Sequence, residues 1–312
     1  MNILFAWTGV TSYMADCWRE LAATPGVSFR AVVERVRSGS EIDAARVFRG
    51  IDVEIAGPGE EVRAGGPVPD AVFAVGWHSR TVRGIVQDPR LRGVPKVCCF
   101  DMPWRPGLRC FAARWALRGF LKNYSAAYVP GESAARYARW LGFAETRKGL
   151  FSLDTRRFAG GPGERDFIYI GRDVPEKRID ILRRAYTLYR EAGGTWKLDF
   201  YGGAGTFVQP RDVPALYRSH ACLLLASAFD PWPLVLLEAT SAGLAAIVSD
   251  RCGNADELRA RKVPYGDARA MARAMLEAER GGVKPAGPGL AAPYDSREWA
   301  RRTLEMAKGL AR

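Results

Sequence analysis

The most constraining feature of the sequence is a regular alternation of short apolar runs with longer amphipathic runs along almost the whole chain. The apolar runs cluster Val, Ile, Leu and Phe, and polar residues do not alternate strictly within them. Such runs, separated by helical patterns, are typical of buried parallel strands in βαβ units, so an α/β fold is expected. The predicted strands are residues 3–7, 29–33, 51–55, 71–77, 96–100, 126–129, 167–170, 197–201, 222–226 and 245–248.

The chain length predicts two domains. A chain of 312 residues is long enough for two units that each bury a core. The turn-forming stretch 159–163 (AGGPG) suits a linker, and the strand–helix pattern restarts after it. We therefore predict Rossmann-like domains at 1–158 and 159–312, with the last helix, about 295–312, packing back on the first domain. Folds of this type bind ligands beyond the carboxyl ends of their strands, so a site between the halves is expected.

The net charge of +12 indicates an anionic partner, which would be nucleic acid, a membrane surface or a phosphorylated substrate. Nucleic acid is disfavoured, because the cations are scattered and no zinc-ligand spacing appears. Six cysteines without a C-x-x-C pair, no basic leader sequence and no long apolar segment together favour a cytoplasmic protein.

The second half carries a basic segment directly after a predicted strand. Gly171 ends the strand, and Arg172 and Lys177 lie at the approach to a helix. Glycine allows close backbone approach, and the N–H groups of a helix start favour anions. The two cations fit a diphosphate clamp, with arginine as a fork and lysine as a point charge. A solvated basic turn is the alternative.

Glycines also follow the next predicted strand, where Gly202 and Gly203 open the loop 202–205. A glycine-rich strand exit forms a phosphate or nucleotide loop in many folds, and an ordinary loop is the competing interpretation.

Two acids flank the start of a predicted helix at 234–242. Asp230 precedes the helix and Glu238 lies one turn inside it, with seven residues between them. Glu238 has leucines and an alanine as neighbours, and a carboxylate in such company costs free energy unless it binds something. The vicinal hydroxyls of a ribose are an apt partner.

In this order, the basic segment, the glycine loop and the acid-x7-Glu element resemble the glycosyl transferases group 1 family of retaining GT-B enzymes. The resemblance covers about residues 125–280. It implies two Rossmann-like parallel-sheet domains that face a central cleft, the first for the acceptor and the second for the nucleotide-sugar. It also implies metal-independent sugar transfer from a UDP-, GDP- or dTDP-sugar with retention of the anomeric configuration, and no further cofactor.

The resemblance assigns roles to individual residues of the second half. Arg172 and Lys177 would neutralise the diphosphate as the glycosidic bond breaks. Glu238 would bind the ribose hydroxyls, and Asp230 the donor sugar's hydroxyls. The donor-binding set implied in this way is Gly171, Arg172, Lys177, Gly202, Gly203, Asp230, Trp232, Pro233, Leu234 and Glu238. The segment departs from the family in having Asp230 where a glutamate is usual, and in lacking Phe-Gly at 231–233.

The first half offers three acceptor-side candidates. Gly9 follows the first strand at the place of the family's glycine-containing loop. Asp101 follows the strand at 96–100, where many family members place a histidine, and His78 follows another strand. A structural or loop role is the alternative for His78 and Asp101.

A basic stretch without acids follows Asp101. In the segment 104–122 the cations Arg114, Arg118 and Lys122 recur every four residues, and Leu108, Phe111, Ala112 and Trp115 line another face. This composition is typical of an interfacial helix on anionic lipid at the inner face of a cell membrane. A helix packed on the core, with a solvated basic face, is the alternative.

Together these features predict a glycosyltransferase that acts on a glycan, a lipid-linked molecule or a small-molecule acceptor. An inverting GT-B transferase and a catalytically idle GT-like binding protein are the alternatives.

Overall fold

The computed structural model describes residues 1–9, 11–35, 44–75, 77–203, 205–209 and 211–311. Within these residues the chain forms two compact units. The first contains Met1–Asp154 and the segment that begins at Asp295, and the second contains Thr155–Tyr294. No helix in the described part of the chain is long and apolar enough to cross a membrane.

The first unit is built on a seven-stranded sheet in the order β3-β2-β1-β4-β5-β6-β7, in which every pair is parallel. Its strands are β1 (Asn2–Thr8), β2 (Ser28–Glu34), β3 (Val53–Ala56), β4 (Ala71–Val75), β5 (Lys96–Cys99), β6 (Ala126–Val129) and β7 (Thr146–Lys148). The helices between them are α1 (Ser12–Ala22), α2 (Ala44–Val47), α3 (Arg80–Val86), α4 (Leu108–Leu121) and α5 (Glu132–Leu141).

The second unit contains a five-stranded parallel sheet in the order β12-β11-β10-β8-β9. Its strands are β8 (Phe167–Gly171), β9 (Leu198–Gly202), β10 (Cys222–Leu225), β11 (Ala245–Ser249) and β12 (Arg261–Val263). Its helices are α6 (Ile179–Glu191), α7 (Val213–Arg218), α8 (Leu234–Ala242) and α9 (Ala268–Glu279), and the last helix of the chain is α10 (Ser296–Leu310). The sheets confirm the predicted α/β class, with two parallel-sheet domains.

Strand β1 shows how the apolar runs fill two layers of core. Ile3, Phe5 and Trp7 pack on one face of the sheet with α1 and α10, and Leu4 and Ala6 pack on the other face. Because successive side chains of a strand point to opposite faces, a strand buried on both faces needs a continuous apolar run. This requirement explains why the sequence shows no strict alternation there.

Helix α10 completes the core of the first unit. Its Trp299 is fully buried, stacks near Phe5 and Tyr128, and donates its indole N–H to the carbonyl oxygen of Leu150 at 2.8 Å. The side chain of Asp295 caps the helix by accepting from the backbone N–H of Arg297. The C-terminal segment therefore returns to the unit in which the chain began.

The chain enters the second unit four residues before the predicted boundary. Residues Thr155–Phe158 form a short 3-10 helix, and buried Phe158 packs its ring 5.8 Å from that of Tyr217 in α7. The apolar side chain of Phe158 holds this turn to the second core, so the glycine-rich stretch 159–163 follows the boundary.

Several element boundaries differ from those expected, for local reasons. Strands β7 and β12 were not anticipated, because their sequences, TRK and RKV, contain no apolar run. Helix α4 begins at Leu108, after two prolines, and not at residue 104. Proline lacks the N–H that continues a helix and disfavours the helical conformation of the residue before it.

We expect Trp299→Ala to lower the free energy of unfolding of the first unit by about 3–5 kcal/mol, the range for removing a large buried aromatic side chain. Urea unfolding followed by fluorescence would measure this change. The neighbouring change Glu298→Ala is the control, because that side chain is 44% exposed and pairs with Arg301 at the surface. Equal effects of the two changes would contradict a core role for Trp299.

Candidate active site

The second sheet has one point at which its strand order reverses, between β8 and the neighbouring β10. In open parallel sheets, ligands bind beyond the carboxyl ends of the strands at such a point. Strand β8 ends at Gly171 and β10 ends at Leu225. The loops that follow them carry Arg172 and Asp230, so these two predicted residues flank the reversal point.

Three glycines, Gly171, Gly202 and Gly203, allow two loops of this unit to pack closely. Gly171 and Gly202 are partners in the β8–β9 register. Gly202 has φ +86°, and a Cβ atom added there would overlap the carbonyl oxygen of Gly171. A Cβ at Gly203 would lie 2.7 Å from the backbone nitrogen of Asp173. The glycine loop therefore supports the backbone around Arg172, and Ala204 of this loop lies outside the described residues.

A buried ion pair joins two of the predicted site residues. The Lys177 ammonium lies 2.5 Å from Oδ2 of Asp230, and their side chains are only 19% and 11% exposed. The Asp230 loop is fixed by backbone hydrogen bonds, because Asp230 donates to the carbonyl oxygen of Arg251 and Gly253 donates to that of Asp230. The predicted diphosphate cation and the predicted sugar-binding acid are thus held together.

Arg172 differs from Lys177 in its exposure to solvent. Its side chain is exposed, and within the described residues its guanidinium has no hydrogen-bond or ion-pair partner. Its carbonyl oxygen accepts from the hydroxyl of Tyr169 at 3.2 Å, which ties the backbone to β8. The segment therefore fixes the main chain of Arg172 and leaves its charged head accessible to a ligand.

The turn after Lys177 contains a strained residue that the sequence did not reveal. Arg178 has φ +50°, a left-handed conformation that costs a non-glycine residue about 1–2 kcal/mol. Its guanidinium pairs with both oxygens of Asp180 and donates to the hydroxyl of Tyr265 at 2.6 Å. The hydrogen bonds that Arg178 donates, with its charge, in turn hold the pKa of Asp180 below its ordinary value. These contacts hold the turn that ends the 3-10 helix Pro175–Lys177, so α6 begins at Ile179.

Glu238 lies in α8 with one of its two oxygens engaged. The hydroxyl of Tyr217 donates to Oε2 at 2.8 Å, and no partner for Oε1 is found among the described residues. Burial raises the pKa of Glu238, against the opposing effects of the Tyr217 hydrogen bond and the Arg157 charge. A carboxylate in this environment gains from any further hydrogen-bond donor.

The start of α8 lies beside these acids and is not capped by a side chain. Pro233 occupies the N-cap position and offers no side-chain acceptor to the N–H groups of the first turn, which begins at Leu234. Asn254, which is fully buried, donates from Nδ2 to the carbonyl oxygen of Pro233 at 3.0 Å. Trp232 is also buried, with its ring 5.3 Å from that of Tyr294. The approach to the helix is therefore rigid, while no side chain caps the N–H groups of Leu234 and Val235.

A separate pocket of about 240 Å³ lies in the first unit, at its own reversal point between β1 and β4. Thr8 ends β1, His78 follows β4, and Asp101 follows β5, and all three line this pocket. The structure thus brings His78 and Asp101 together. Gly9 has φ +81° and donates its N–H to the carbonyl oxygen of Glu34, which identifies it as a backbone turn. Val10 of the same loop lies outside the described residues.

Some contacts of these sites have no signal in the sequence. Tyr217 is 21 residues from Glu238, and only the packing of α7 against α8 brings its hydroxyl to the carboxylate. Asn254 lies in turns that follow β11. Neither residue belongs to a motif that a sequence pattern could single out.

Metal ligands are a further point of site chemistry. Across the residues that the structure describes, no group of three or more His, Cys, Asp and Glu side chains is placed to hold a metal ion.

Comparison with known proteins gives one family match and many structural neighbours. Residues 164–279 match the family described as Glycosyl transferases group 1, and this range contains Arg172, Lys177, Asp230 and Glu238. No curated protein sequence matches the chain.

Three of the solved structures that resemble this chain over nearly its full length illustrate the fold. The apo form of the lipopolysaccharide outer core galactosyltransferase WaaB covers 98% of this chain and 98% of its own, at 15% identity and a TM-score of 0.69. Anabaena HepE in complex with UDP and glucose covers 99% and 100%, at 14% identity and a TM-score of 0.70. An E. coli structure described as trehalose-6-phosphate bound with UDP-2-fluoro glucose covers 99% and 99%, at 12% identity and a TM-score of 0.70. Both parallel-sheet domains thus match the GT-B glycosyltransferase fold, and together with the family match this supports a glycosyltransferase.

Proposed function

We propose that the protein transfers a sugar from a nucleotide-sugar donor to an acceptor hydroxyl, with retention of the anomeric configuration. The observation that carries the proposal is the arrangement at the reversal point of the second sheet, where the Lys177–Asp230 pair lies beside the exposed Arg172. Cations fixed at the carboxyl edge of a parallel sheet are suited to a diphosphate. The family match over this region supports the same assignment.

In the proposed reaction, the bond between the anomeric carbon and a diphosphate oxygen breaks, and the acceptor oxygen forms a new bond to that carbon. The acceptor's proton passes to the departing diphosphate oxygen. Arg172 and Lys177 stabilise the negative charge that develops on the diphosphate, a role in which fixed charges are effective because they need no reorganisation. These two cations serve in place of a metal ion, and no further cofactor takes part.

The remaining donor contacts follow from groups that lack a full set of partners. Oε1 of Glu238 accepts from the ribose hydroxyls, while Oε2 is kept in place by Tyr217. Asp230 accepts from a hydroxyl of the donor sugar, and the uncapped N–H groups at the start of α8, after Trp232 and Pro233, donate to the donor. Gly171, Gly202 and Gly203 allow the backbone to come close. Because HepE was solved with UDP, uridine donors are the first to test.

The acceptor lies in the pocket of the first unit, where Asp101 and His78 hold its hydroxyl groups and Gly9 shapes the adjoining turn. The enzyme works in the cytoplasm at the inner face of the cell membrane, with α4 towards the lipid. The carboxylate of Asp101 in this pocket also fits a general base, which favours an inverting mechanism as the second candidate.

A donor panel tests the proposal. We expect one of the UDP-, GDP- and dTDP-sugars to be consumed, with activity that survives a chelator. The product, observed by proton NMR, should keep the anomeric configuration of the donor. Inverted product would favour Asp101 as a base, and binding without turnover would indicate an idle binding protein.

Arg172→Gln is expected to weaken the binding of the nucleoside diphosphate by about 10- to 100-fold, because a charge-assisted hydrogen bond is worth about 1.5–3 kcal/mol. Isothermal calorimetry measures this change directly. Arg165→Gln is the matched control, since that exposed cation pairs with Asp166 just before β8, at the opposite edge of the sheet. Equal affinities for wild type and Arg172→Gln would remove the diphosphate role.

Glu238→Gln is expected to remove a pH-dependent loss of stability and to weaken nucleotide binding. Folding raises the pKa of the Glu238 carboxyl group. The free energy of unfolding therefore falls as the pH increases from the ordinary pKa of this group through the raised one. The wild type should therefore lose free energy of unfolding over that interval, whereas Glu238→Gln should not. The same variant should bind nucleotide about tenfold more weakly, because it loses a charged acceptor.

Denaturant unfolding across this pH range and nucleotide calorimetry check the two effects. Glu277→Gln is the control, because that carboxylate is 43% exposed and pairs with Arg261. A Glu238→Gln variant with the wild-type pH dependence and wild-type affinity would refute the assignment.

A further inference from the structure

The pocket of the first unit has a distinctive chemistry. Five of its described lining residues carry aromatic rings: Trp7, Tyr13, Trp77, Phe100 and Phe151. Two threonine hydroxyls, the Tyr13 hydroxyl, the His78 ring and the Asp101 carboxylate are among its polar groups, and the described lining contains no lysine or arginine. Aromatic faces with a few convergent polar groups suit a ring that is apolar on its faces and polar at its edge. That description fits an uncharged sugar, and the lack of a lysine or arginine disfavours a phosphate.

The volume of the pocket limits the size of its ligand. At about 240 Å³ it lies below the range of about 300–1,000 Å³ that holds drug-sized ligands. One sugar ring, and not an extended oligosaccharide, is the corresponding occupant.

Helix α4 follows the pocket-lining residue Met102 in sequence. It is apolar on two opposite faces. Phe120 and Leu121 are buried against the first unit. Leu108, Phe111 and Trp115 are 90%, 56% and 82% exposed, and at 100° per residue they lie on the side opposite to the buried face. The exposed trio and Met102, which is 42% exposed, are called the apolar patch below. A contiguous exposed patch of large apolar side chains marks an interaction surface.

The charges around the apolar patch identify the partner. Arg114, Arg118 and Lys122 are exposed on α4, and the sequence from 102 to 131 contains no aspartate or glutamate. Exposed Trp and Leu side chains together with these cations match the interface of an anionic bilayer, which takes both the apolar side chains and the positive charge. A protein partner would need a complementary acidic surface around an apolar centre, whereas a bilayer of anionic lipid supplies both along its whole plane.

The pocket and the apolar patch lie close to each other along the chain. Met102 belongs to both, since it lines the pocket and is exposed. Six residues separate it from Leu108, a span of at most about 20 Å. Trp140 anchors this segment to the first unit, with its ring 5.2 Å from Trp104 and 4.8 Å from Phe111. A bilayer on the patch would therefore lie close to the mouth of the pocket.

We propose that the acceptor is amphiphilic: an uncharged sugar carried on a lipid, with the sugar in the aromatic pocket and the lipid in the bilayer that the apolar patch contacts. The inference rests on the proposed function, because it takes the pocket as the acceptor site. It selects one acceptor class from the glycan, lipid-linked and small-molecule alternatives. The patch brings the enzyme to the surface where the acceptor is concentrated, and the pocket selects its neutral head.

The first measurement is flotation with vesicles of phosphatidylglycerol and phosphatidylcholine in equal parts, and with vesicles of phosphatidylcholine alone. We expect wild type to bind the anionic vesicles, and Leu108→Ser/Trp115→Ser to bind them at least about tenfold more weakly, because each side chain loses its buried apolar area. Phe207→Ser is the matched control, since that ring is 73% exposed but lies in the second unit. Wild type that does not float, or that forms a dimer which the double variant abolishes, overturns the bilayer as the partner.

The second measurement compares a monoglycosyl diacylglycerol in the anionic vesicles with the methyl glycoside of the same uncharged sugar in solution. The expected ratio of kcat/KM for the lipid-borne over the free sugar is at least about tenfold in wild type and Phe207→Ser, and it falls towards one in the double variant. A ratio near one in wild type overturns the amphiphilic acceptor.

Nucleotide calorimetry and donor hydrolysis without acceptor separate the two proposals. If both fail in wild type, the proposed function itself is wrong. If they succeed while the ratio is near one, only the acceptor class is wrong.

Discussion

Parallel pairing is the constraint on which both sites depend. Every strand pair in the two sheets is parallel, so within each sheet all carboxyl ends lie at one edge. The loops that leave this edge converge wherever the strand order reverses, and a crevice forms between the loops of the two flanking strands. In the second sheet these loops carry Arg172 and Asp230, and at the same edge of the first sheet lie Thr8, which ends β1, and His78, which follows β4. Residues distant in sequence thus become neighbours through backbone geometry alone.

The buried charged groups of the second unit lower its stability. The Lys177–Asp230 pair is largely buried, and replacing a buried pair with apolar groups is often neutral or stabilising. Glu238 is held at a raised pKa by burial, with one oxygen bonded to Tyr217. Arg178 adds backbone strain beside Lys177. Such costs concentrate where a ligand can offset them, which is consistent with the proposed nucleotide site at this edge.

Much of the fold could be predicted from the sequence, because burial imposes a pattern on it. The helix Leu234–Ala242 and the strand Ala126–Val129 have the expected bounds, since their apolar residues follow the period of the element. Strands β7 and β12 escaped prediction because three-residue edge strands with polar side chains carry no such signal. The two turns around Arg178 and Asn254 also escaped it, because tertiary contacts determine their conformations.

The sequence by itself determined the parallel α/β class, the order of the charged and glycine segments and the acid-free composition around α4, since these depend on local periodicity and residue type. Only the tertiary structure decided which side chains meet. It paired Lys177 with Asp230 and Tyr217 with Glu238, and it gathered His78, Asp101 and the aromatic rings into one pocket. It also decided which apolar face of α4 is buried and which is exposed. The physical reason is that both faces carry large apolar side chains, and only packing against the rest of the unit distinguishes them.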